Sequence, residues 1–382
     1  MKVVTVVGAR PQFIKAAPVS DALARRGVQE VMVHTGQHYD RSMSEVFFEE
    51  LAIRPPAYNL GVGSGSHGAQ TARMLGAIEE VLAAEAPQRA VVYGDTNSTL
   101  AGALAAAKMH IPVAHVEAGL RSFDRSMPEE INRVAVDHVA ALCLAPTEIA
   151  MRNLAREGLD KVSHHVGDVT ADAIARTRAS ERPLRADVAG IGRRSNGYLV
   201  ATVHRAATTD DPRRLSAAMS LLGRMPIPVV LPLHPRTRAA LDRHRLIPPP
   251  TVHVIEPLGY GDMLAVMAGA AAVLTDSGGL QKEAYILGVR CITLRDTTEW
   301  IETVDAGWNS LVDLDAERAL AGYGAPLPAR RPNLFGDGHA AERCARLITG
   351  DPSVVASAAV GAPILTPEPA SEPSPSGTRG DI

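Results

Sequence analysis

Ser277-Gly278-Gly279 stands between an apolar run, Ala272–Thr275, and a stretch of helix formers that begins at Leu280. Two readings fit that spacing. One is a tight strand-to-helix turn with Ser277 as N-cap. The other is an anion seat, because a helix start offers unpaired N–H groups and glycine lets a phosphate reach the backbone. Cations stand in comparable places. Arg10 and Lys15 flank Pro11 just behind Val3–Val7, a pair suited to a diphosphate. In the second half, His204 and Arg205, then His234, Arg236 and Arg238, then Arg295 and Glu299, each follow an apolar run.

The carboxylates are placed the same way. Asp95 follows Ala90–Tyr93, Glu117 follows Pro112–Val116, and Glu129 and Glu130 follow Pro128. N-capping is the ordinary use of Asp95, and favourable first-turn charge that of Glu129 and Glu130. Glu117 is harder to explain away, since a carboxylate behind a buried strand is costly unless paired or used. Brought to one cleft, such groups can act as acid and base.

The elements that must position them alternate regularly. Strand-length runs at Val3–Val7, Glu30–His34, Ala90–Tyr93 and Pro112–Val116 are separated by helical segments such as Gln12–Arg26 and Ser98–Met109. The pattern restarts at Tyr198–Val203 and continues through Ile227–Leu233, Val252–Ile255, Ala272–Thr275 and Cys291–Leu294. Alternation of this kind predicts an α/β chain of two doubly wound, Rossmann-like domains with parallel sheets facing a cleft. The expected division is 1–170 and 171–350, meeting near 168–195, with "ERPLRADVAGIGRRSNG" (181–197) as linker. His339–Leu347 reads as a last helix, one that can pack back on the first domain. A Pro- and Ser-rich segment from 351 to 382 reads as a disordered tail. The Gly61–Gly65 stretch is expected to lie off any strand–helix junction, and no G-x-G-x-x-G occurs, so no nicotinamide cofactor is expected.

Bulk properties narrow the partners. With 382 residues the chain can bury two cores. A net charge of −3 gives no general attraction for nucleic acid or an anionic membrane, and no apolar run reaches the roughly 18 residues of a membrane span. Cys143, Cys291 and Cys344 lie far apart and suggest neither disulfides nor zinc; no metal-ligand spacing occurs. The expected setting is the cytoplasm. Only five of the 39 basic residues are lysines, so a lysine inside a motif carries weight. Carboxylates in one half and a Gly-Gly helix start with cations in the other suit a nucleotide-diphosphate sugar.

The strings "GARPQFIKAAP", "HTGQH", "GDTNSTLAGALAA", "HVEAGLRS", "PEEINR", "HRA", "LHPRTR", "TDSGGLQKEA" and "LRDTTEW" resemble, in order, the non-hydrolysing UDP-N-acetylglucosamine 2-epimerase family. They span about four-fifths of the chain. "GARPQFIKA" with "MPEEINR" is also similar to the branch that includes epimerases of UDP-2,3-diacetamido-2,3-dideoxyglucuronate. The resemblance implies a glycosyltransferase-B-like fold, a homodimer, and cofactor-free conversion of UDP-GlcNAc to UDP-ManNAc. In the family, UDP leaves by anti elimination to a 2-acetamidoglucal and then adds back. Carried over, Asp95, Glu117, Glu129 and His204 fall on catalytic positions. Arg10, Lys15, His234, Ser277, Gly278, Gly279, Glu283 and Arg295 fall on UDP-sugar-binding ones, with Glu283 suited to the ribose hydroxyls.

Two departures stand out. Ala207 and Thr208 occupy places where the family usually has Glu-Asn, close behind His204. The loop between Arg121 and Pro128 is two residues shorter than in some members, so Glu129 rests on the "PEE" match. Several bacterial members also bind a second UDP-GlcNAc as activator through a Q-x-x-Q pair. Here Gln37 keeps the first position, Asp40 holds the second, and Arg73 and His234 are further candidate contacts. An ionised aspartate only accepts hydrogen bonds and repels a diphosphate, so activation should be weak or absent. Competing readings are a hydrolysing epimerase that frees ManNAc, a glycosyltransferase of the same fold, and a UDP-sugar-binding regulator. The presence of all three carboxylates weighs against the regulator.

Overall fold

Valine builds the first sheet. Val3, Val4, Val6 and Val7 are fully buried in β1 (Lys2–Val7), and branched residues covered on both faces suit a central parallel strand. In a computed structural model, which describes residues 1–37, 53–178, 183–195 and 197–350, β1 pairs in parallel with β2 (Gln29–His34) and β4 (Arg89–Tyr93). Val4 stands opposite Val31 on one side and Ala90 on the other. β3 (Tyr58–Asn59) extends one edge; β5 (Val113–Val116), β6 (Leu142–Ala145) and β7 (Ser163–His165) extend the other. The strand order is β3-β2-β1-β4-β5-β6-β7.

The second sheet repeats the scheme. Its order is β10-β9-β8-β11-β12-β13, from β8 (Leu199–Thr202), β9 (Val229–Pro232), β10 (Val252–Ile255), β11 (Ala272–Thr275), β12 (Arg290–Thr293) and β13 (Asn309–Leu311). Chain growth reverses between β1 and β4 in one sheet and between β8 and β11 in the other. Open parallel sheets bind ligands beyond the carboxyl ends of strands at such reversals. Arg10, Lys15 and Asp95 follow the first pair; His204 and Ser277 follow the second. The expected α/β class of two Rossmann-like sheets holds.

Details of the sequence reading need correction. The segment 181–197, expected as linker, contains the helix Ala186–Ser195 among its described residues, so Gly190 and Gly192 do not break it. Gly61–Gly65, expected away from a strand–helix junction, runs from β3 to the helix His67–Glu85; a two-residue strand is too short to show as a period. The tail from 351 and Asp40 lie outside the described residues. The helix Ala340–Ile348 packs on the helices Arg10–Arg25 and Val169–Arg178. Asp172 accepts hydrogen bonds from Ala340 N and Ala341 N, at 3.2 and 2.9 Å, and so caps it. The chain's last described helix therefore closes the core of the first sheet.

One buried cation joins the halves. Lys282, on the helix Gly278–Leu287 of the second sheet, reaches Glu117 Oε1 at 2.6 Å and Asp168 Oδ2 at 2.5 Å. Lys15 holds the other oxygen of Glu117. Burial alone would push the Glu117 carboxyl up; the two lysines outweigh it and draw it down to about 2. A folded value below the ordinary 4.5 adds stability above pH 4.5 and loses it as pH falls toward 2. The stability gap between wild type and Glu117→Gln, read from urea unfolding, should therefore be on the order of 2–3 kcal/mol near neutrality and shrink across that window. A gap that stays flat as pH falls would remove the ion pairs as its source.

Candidate functional site

Close backbone approach shapes the end of β1. A side chain on Gly8 would lie 2.1 Å from both Ser98 Oγ and Thr35 Oγ1, so only glycine fits. Gln12 then laces this turn to its neighbour: its carbonyl accepts from Gly8 N and Ala9 N, while its amide donates to Tyr93 O and Thr99 Oγ1. The helix Arg10–Arg25 starts with Pro11 in its first turn, which aims Arg10 and Lys15 beyond the strand end. Arg10 donates to Leu258 O of the second half at 3.3 Å.

Asp95 is not an N-cap. Thr96 caps the helix Asn97–Lys108, and the Asp95 carboxylate instead takes a fork from Arg133, Nε at 3.0 Å and Nη2 at 2.6 Å. Beyond β5, Glu117 adopts φ +72°, the left-handed region that glycine prefers. For a non-glycine residue this costs about 1–3 kcal/mol and persists only where the surroundings hold it. Here Leu144 O accepts from Glu117 N and Ala118 N, and two lysines grip the carboxylate. Gly94 completes the group, its missing side chain leaving Glu117 Oε2 only 3.2 Å from where a Cβ would be.

The "PEEINR" string divides its labour. Glu130 is buried and accepts from Ser122 N, Ser122 Oγ, Phe123 N and Arg133 Nη1, so it ties down the 121–127 loop. Asn132 donates to Asp95 O at 2.8 Å. Glu129 is half-buried, with no hydrogen bond or ion pair to the described residues. Of the two glutamates, Glu129 is the one left available.

On the second sheet, Ser277 occupies the N-cap position of Gly278–Leu287, but its hydroxyl makes no capping bond. The helix start therefore has no side-chain cap. The two glycines differ. A Cβ on Gly278 would lie 2.0 Å from Glu299 Oε1, so Gly278 admits that carboxylate. A Cβ on Gly279 would meet nothing nearer than Ser277 Oγ at 3.9 Å, leaving space over the helix start. Glu299 pairs with Arg295 Nη1 at 3.0 Å, while Arg295 Nη2 is buried without a partner among the described residues. Burial raises the Glu299 carboxyl, but Arg295, Arg133 and Arg205 together bring it below its ordinary value. Glu283 is also buried, and there burial wins over Lys282, Arg10 and Lys15, leaving its carboxyl raised.

His204 stands beyond β8. Asp276, fully buried, accepts from His204 N and Arg205 N, both at 2.9 Å, and lies 3.3 Å from His204 Nδ1. Burial lowers the imidazole's basicity; Asp276 opposes this, and Arg205, Arg10 and Arg236 add to it. His234 packs beside it, ring centroids 5.5 Å apart, and caps the helix Pro235–His244 by accepting from Arg236 N.

Two of the candidate activator residues, Gln37 and Arg73, already have internal partners. Gln37 accepts from Ser98 N and Oγ, and Arg73 donates to Val62 O and Ser64 O. Sequence reading assigned no role to Lys282, Asp276, Asp168, Arg133 or Glu299. Signals existed for most: Lys282 is one of five lysines and lies inside "TDSGGLQKEA", as Asp276 does, and Arg133 ends "PEEINR". Taken together, the site sets carboxylates against an uncapped helix start with cations around it. Such a site can hold a diphosphate and move protons beside it.

Comparison with known proteins agrees. Residues 21–349 match the family model for UDP-N-acetylglucosamine 2-epimerase. The UDP-2,3-diacetamido-2,3-dideoxy-D-glucuronate 2-epimerase of Pseudomonas aeruginosa is 46% identical over 360 residues, covering 91% of this chain and 99% of that protein. The UDP-N-acetylglucosamine 2-epimerase of Methanocaldococcus jannaschii is 42% identical over 364 residues, covering 91% and 99%. Its crystal structure in complex with UDP-GlcNAc and UDP superposes with a TM-score of 0.84 over 92% of this chain and 100% of that one. The chain belongs to the UDP-N-acetylglucosamine 2-epimerase family.

Proposed function

We propose that this chain reversibly inverts C2 of a UDP-2-acetamido sugar, interconverting UDP-GlcNAc and UDP-ManNAc. The observation that carries the reading is the reach of Lys282. It lies four residues after Gly278, about 6 Å of helix rise, and touches Glu117. A carboxylate thus sits within one helical turn and one lysine side chain of an uncapped helix start.

The chemistry follows from that adjacency. UDP held on the helix start and by Arg295 and Arg10 leaves C1 with the C–O electron pair. The C2 proton passes to a carboxylate, and its electrons form the C1=C2 bond of a 2-acetamidoglucal. Re-addition of the UDP oxygen at C1, with a proton delivered to the opposite face of C2, gives the epimer; no net redox occurs. Asp95, Glu117 and Glu129 are the proton-transfer groups, His204 steadies the diphosphate, and Glu283 takes the ribose hydroxyls. Ser277, Gly278 and Gly279 seat the diphosphate, and His234 borders it. Lys15 links binding to chemistry. Less buried than Lys282, it can turn from Glu117 to a diphosphate, and its departure removes one of two cations that hold Glu117 a weak base.

A second reading has its own support: the 46% identity to the diacetamido-glucuronate epimerase makes that uronate the alternative substrate. The same family reading makes the enzyme a cytoplasmic homodimer. Among the described residues, no helix is long and apolar enough to cross a membrane.

In D2O, UDP-GlcNAc should yield UDP-ManNAc with deuterium at C2 of both epimers and little free sugar, followed by NMR. Epimer without deuterium would sink elimination and re-addition; free ManNAc as main product would indicate hydrolysis. Turnover of the diacetamido-uronate alone would move the substrate assignment.

Asp95→Asn, Glu117→Gln and Glu129→Gln should each lower kcat by roughly 10²-fold while UDP still binds, measured by steady-state kinetics and calorimetry. Arg295→Ala should instead weaken UDP binding. Wild-type turnover by Glu117→Gln would reduce Glu117 to a structural tie.

Rate against UDP-GlcNAc should be near-hyperbolic, because Gln37 and Arg73 are engaged internally and Asp40 repels a diphosphate. A pronounced lag from UDP-ManNAc, abolished by traces of UDP-GlcNAc, would show a working activator site.

A further inference from the structure

We infer that Asp276 is the positioning residue of His204: its carboxylate sets the turn that carries the imidazole and faces Nδ1, which leaves Nε2–H of the protonated ring to donate to the diphosphate. The inference rests on the role proposed for His204 and supplies what Ala207 and Thr208 do not. Ala207 has no polar group, and Thr208 offers His204 no hydrogen bond among the described residues. Asp276 comes from another strand end and does three things there. It accepts from the backbone N–H groups of His204 and Arg205, which sets the turn beyond β8. It faces Nδ1 at 3.3 Å. It also stands directly before Ser277, so one residue registers the histidine against the helix start.

The tautomer follows from chemistry. An ionised carboxylate only accepts, so the ring nitrogen beside it is the donor. The charged and titratable groups facing the ring are Arg10 from Arg10–Arg25, Arg205 at the start of the helix Ala206–Thr209, Arg236 from Pro235–His244, Asp276, and the His234 ring 5.5 Å away. Three are cations and one is an anion. Without Asp276, nothing among them would oppose the cations or select a ring nitrogen. At 3.3 Å the contact is a charge pairing and not a hydrogen bond; apo contacts of this type tighten when ligand binds.

The test uses the full chain labelled with 15N-histidine, with His204→Asn to assign the His204 signals. Two-bond 1H–15N spectra of wild type should show His204 as the Nδ1–H tautomer when neutral without ligand, and as the imidazolium with UDP bound. Asp276→Asn should lower the His204 pKa and move the basic limb of the rate profile to lower pH. It should cut kcat by about tenfold or more with KM within about threefold. The double variant Asp276→Asn/His204→Asn should be no slower than His204→Asn alone. An Nε2–H tautomer in wild type overturns the inference, and that reading stands even if Asp276→Asn fails to fold. So does an Asp276→Asn enzyme with wild-type kcat and pH profile while His204→Asn is inactive. Wild-type turnover by His204→Asn is a different failure, that of the role proposed for His204 itself.

Discussion

A lysine ammonium buried between two carboxylates sets the terms for this molecule. Lys282 has almost no exposed surface and lies between Glu117 and Asp168, with the Trp300 ring 4.6 Å from its charge. An unpaired charge in that place would cost several kcal/mol, so the two sheets must approach closely enough for the carboxylates to meet it. Burial lowers the affinity of Lys282 for its proton, but Asp168 and Glu117 more than restore it, and the cation is held. Cation–π contact with Trp300 adds a smaller favourable contribution. The cleft between the sheets is therefore built around a fixed positive charge.

That charge explains why the strained backbone at Glu117 survives. Left-handed φ at a glutamate persists only if its contacts over-determine it. Both oxygens are occupied, and both neighbouring N–H groups bond Leu144 O. The same grip makes Glu117 a poor base while it lasts. Stability and reactivity pull in opposite directions at one side chain, and of its two partners Lys15 is the less buried.

The second sheet solves a matching problem with opposite charges. Its strand ends carry Arg205, Arg236 and Arg295 around His204 and the helix start. Asp276 and Glu299 keep that group from being purely cationic. Gly278 serves this arrangement, since only a missing side chain lets Glu299 lie so near. Gly279 leaves the open space. The Ser-Gly-Gly string thus serves an internal need, and on the proposed reading its open side takes the ligand.

Much of this was legible in the chain itself. Strands buried on both faces are continuous apolar runs, so their ends, and with them Arg10, Asp95, Glu117, His204 and Ser277, could be placed from local pattern. The motif strings set the family and the list of candidate residues. What local pattern cannot carry is pairing across distance. Lys282 meets Glu117 over 165 residues of chain and Asp168 over 114, and no period encodes either contact. Local pattern allowed Asp95 as an N-cap, but Thr96 takes that place and Arg133 pairs with Asp95. The resemblance singled out Glu129 over Glu130, but only the fold shows why they differ: the 121–127 loop claims Glu130. Gly190 and Gly192 read as linker, yet they sit in a helix. Sequence by itself determined the two sheets and the residues at their strand ends, because those depend on hydrophobic periodicity and turn chemistry. Only the tertiary structure decided which charges share a partner or a glycine's empty space, because those depend on how two independently wound sheets dock.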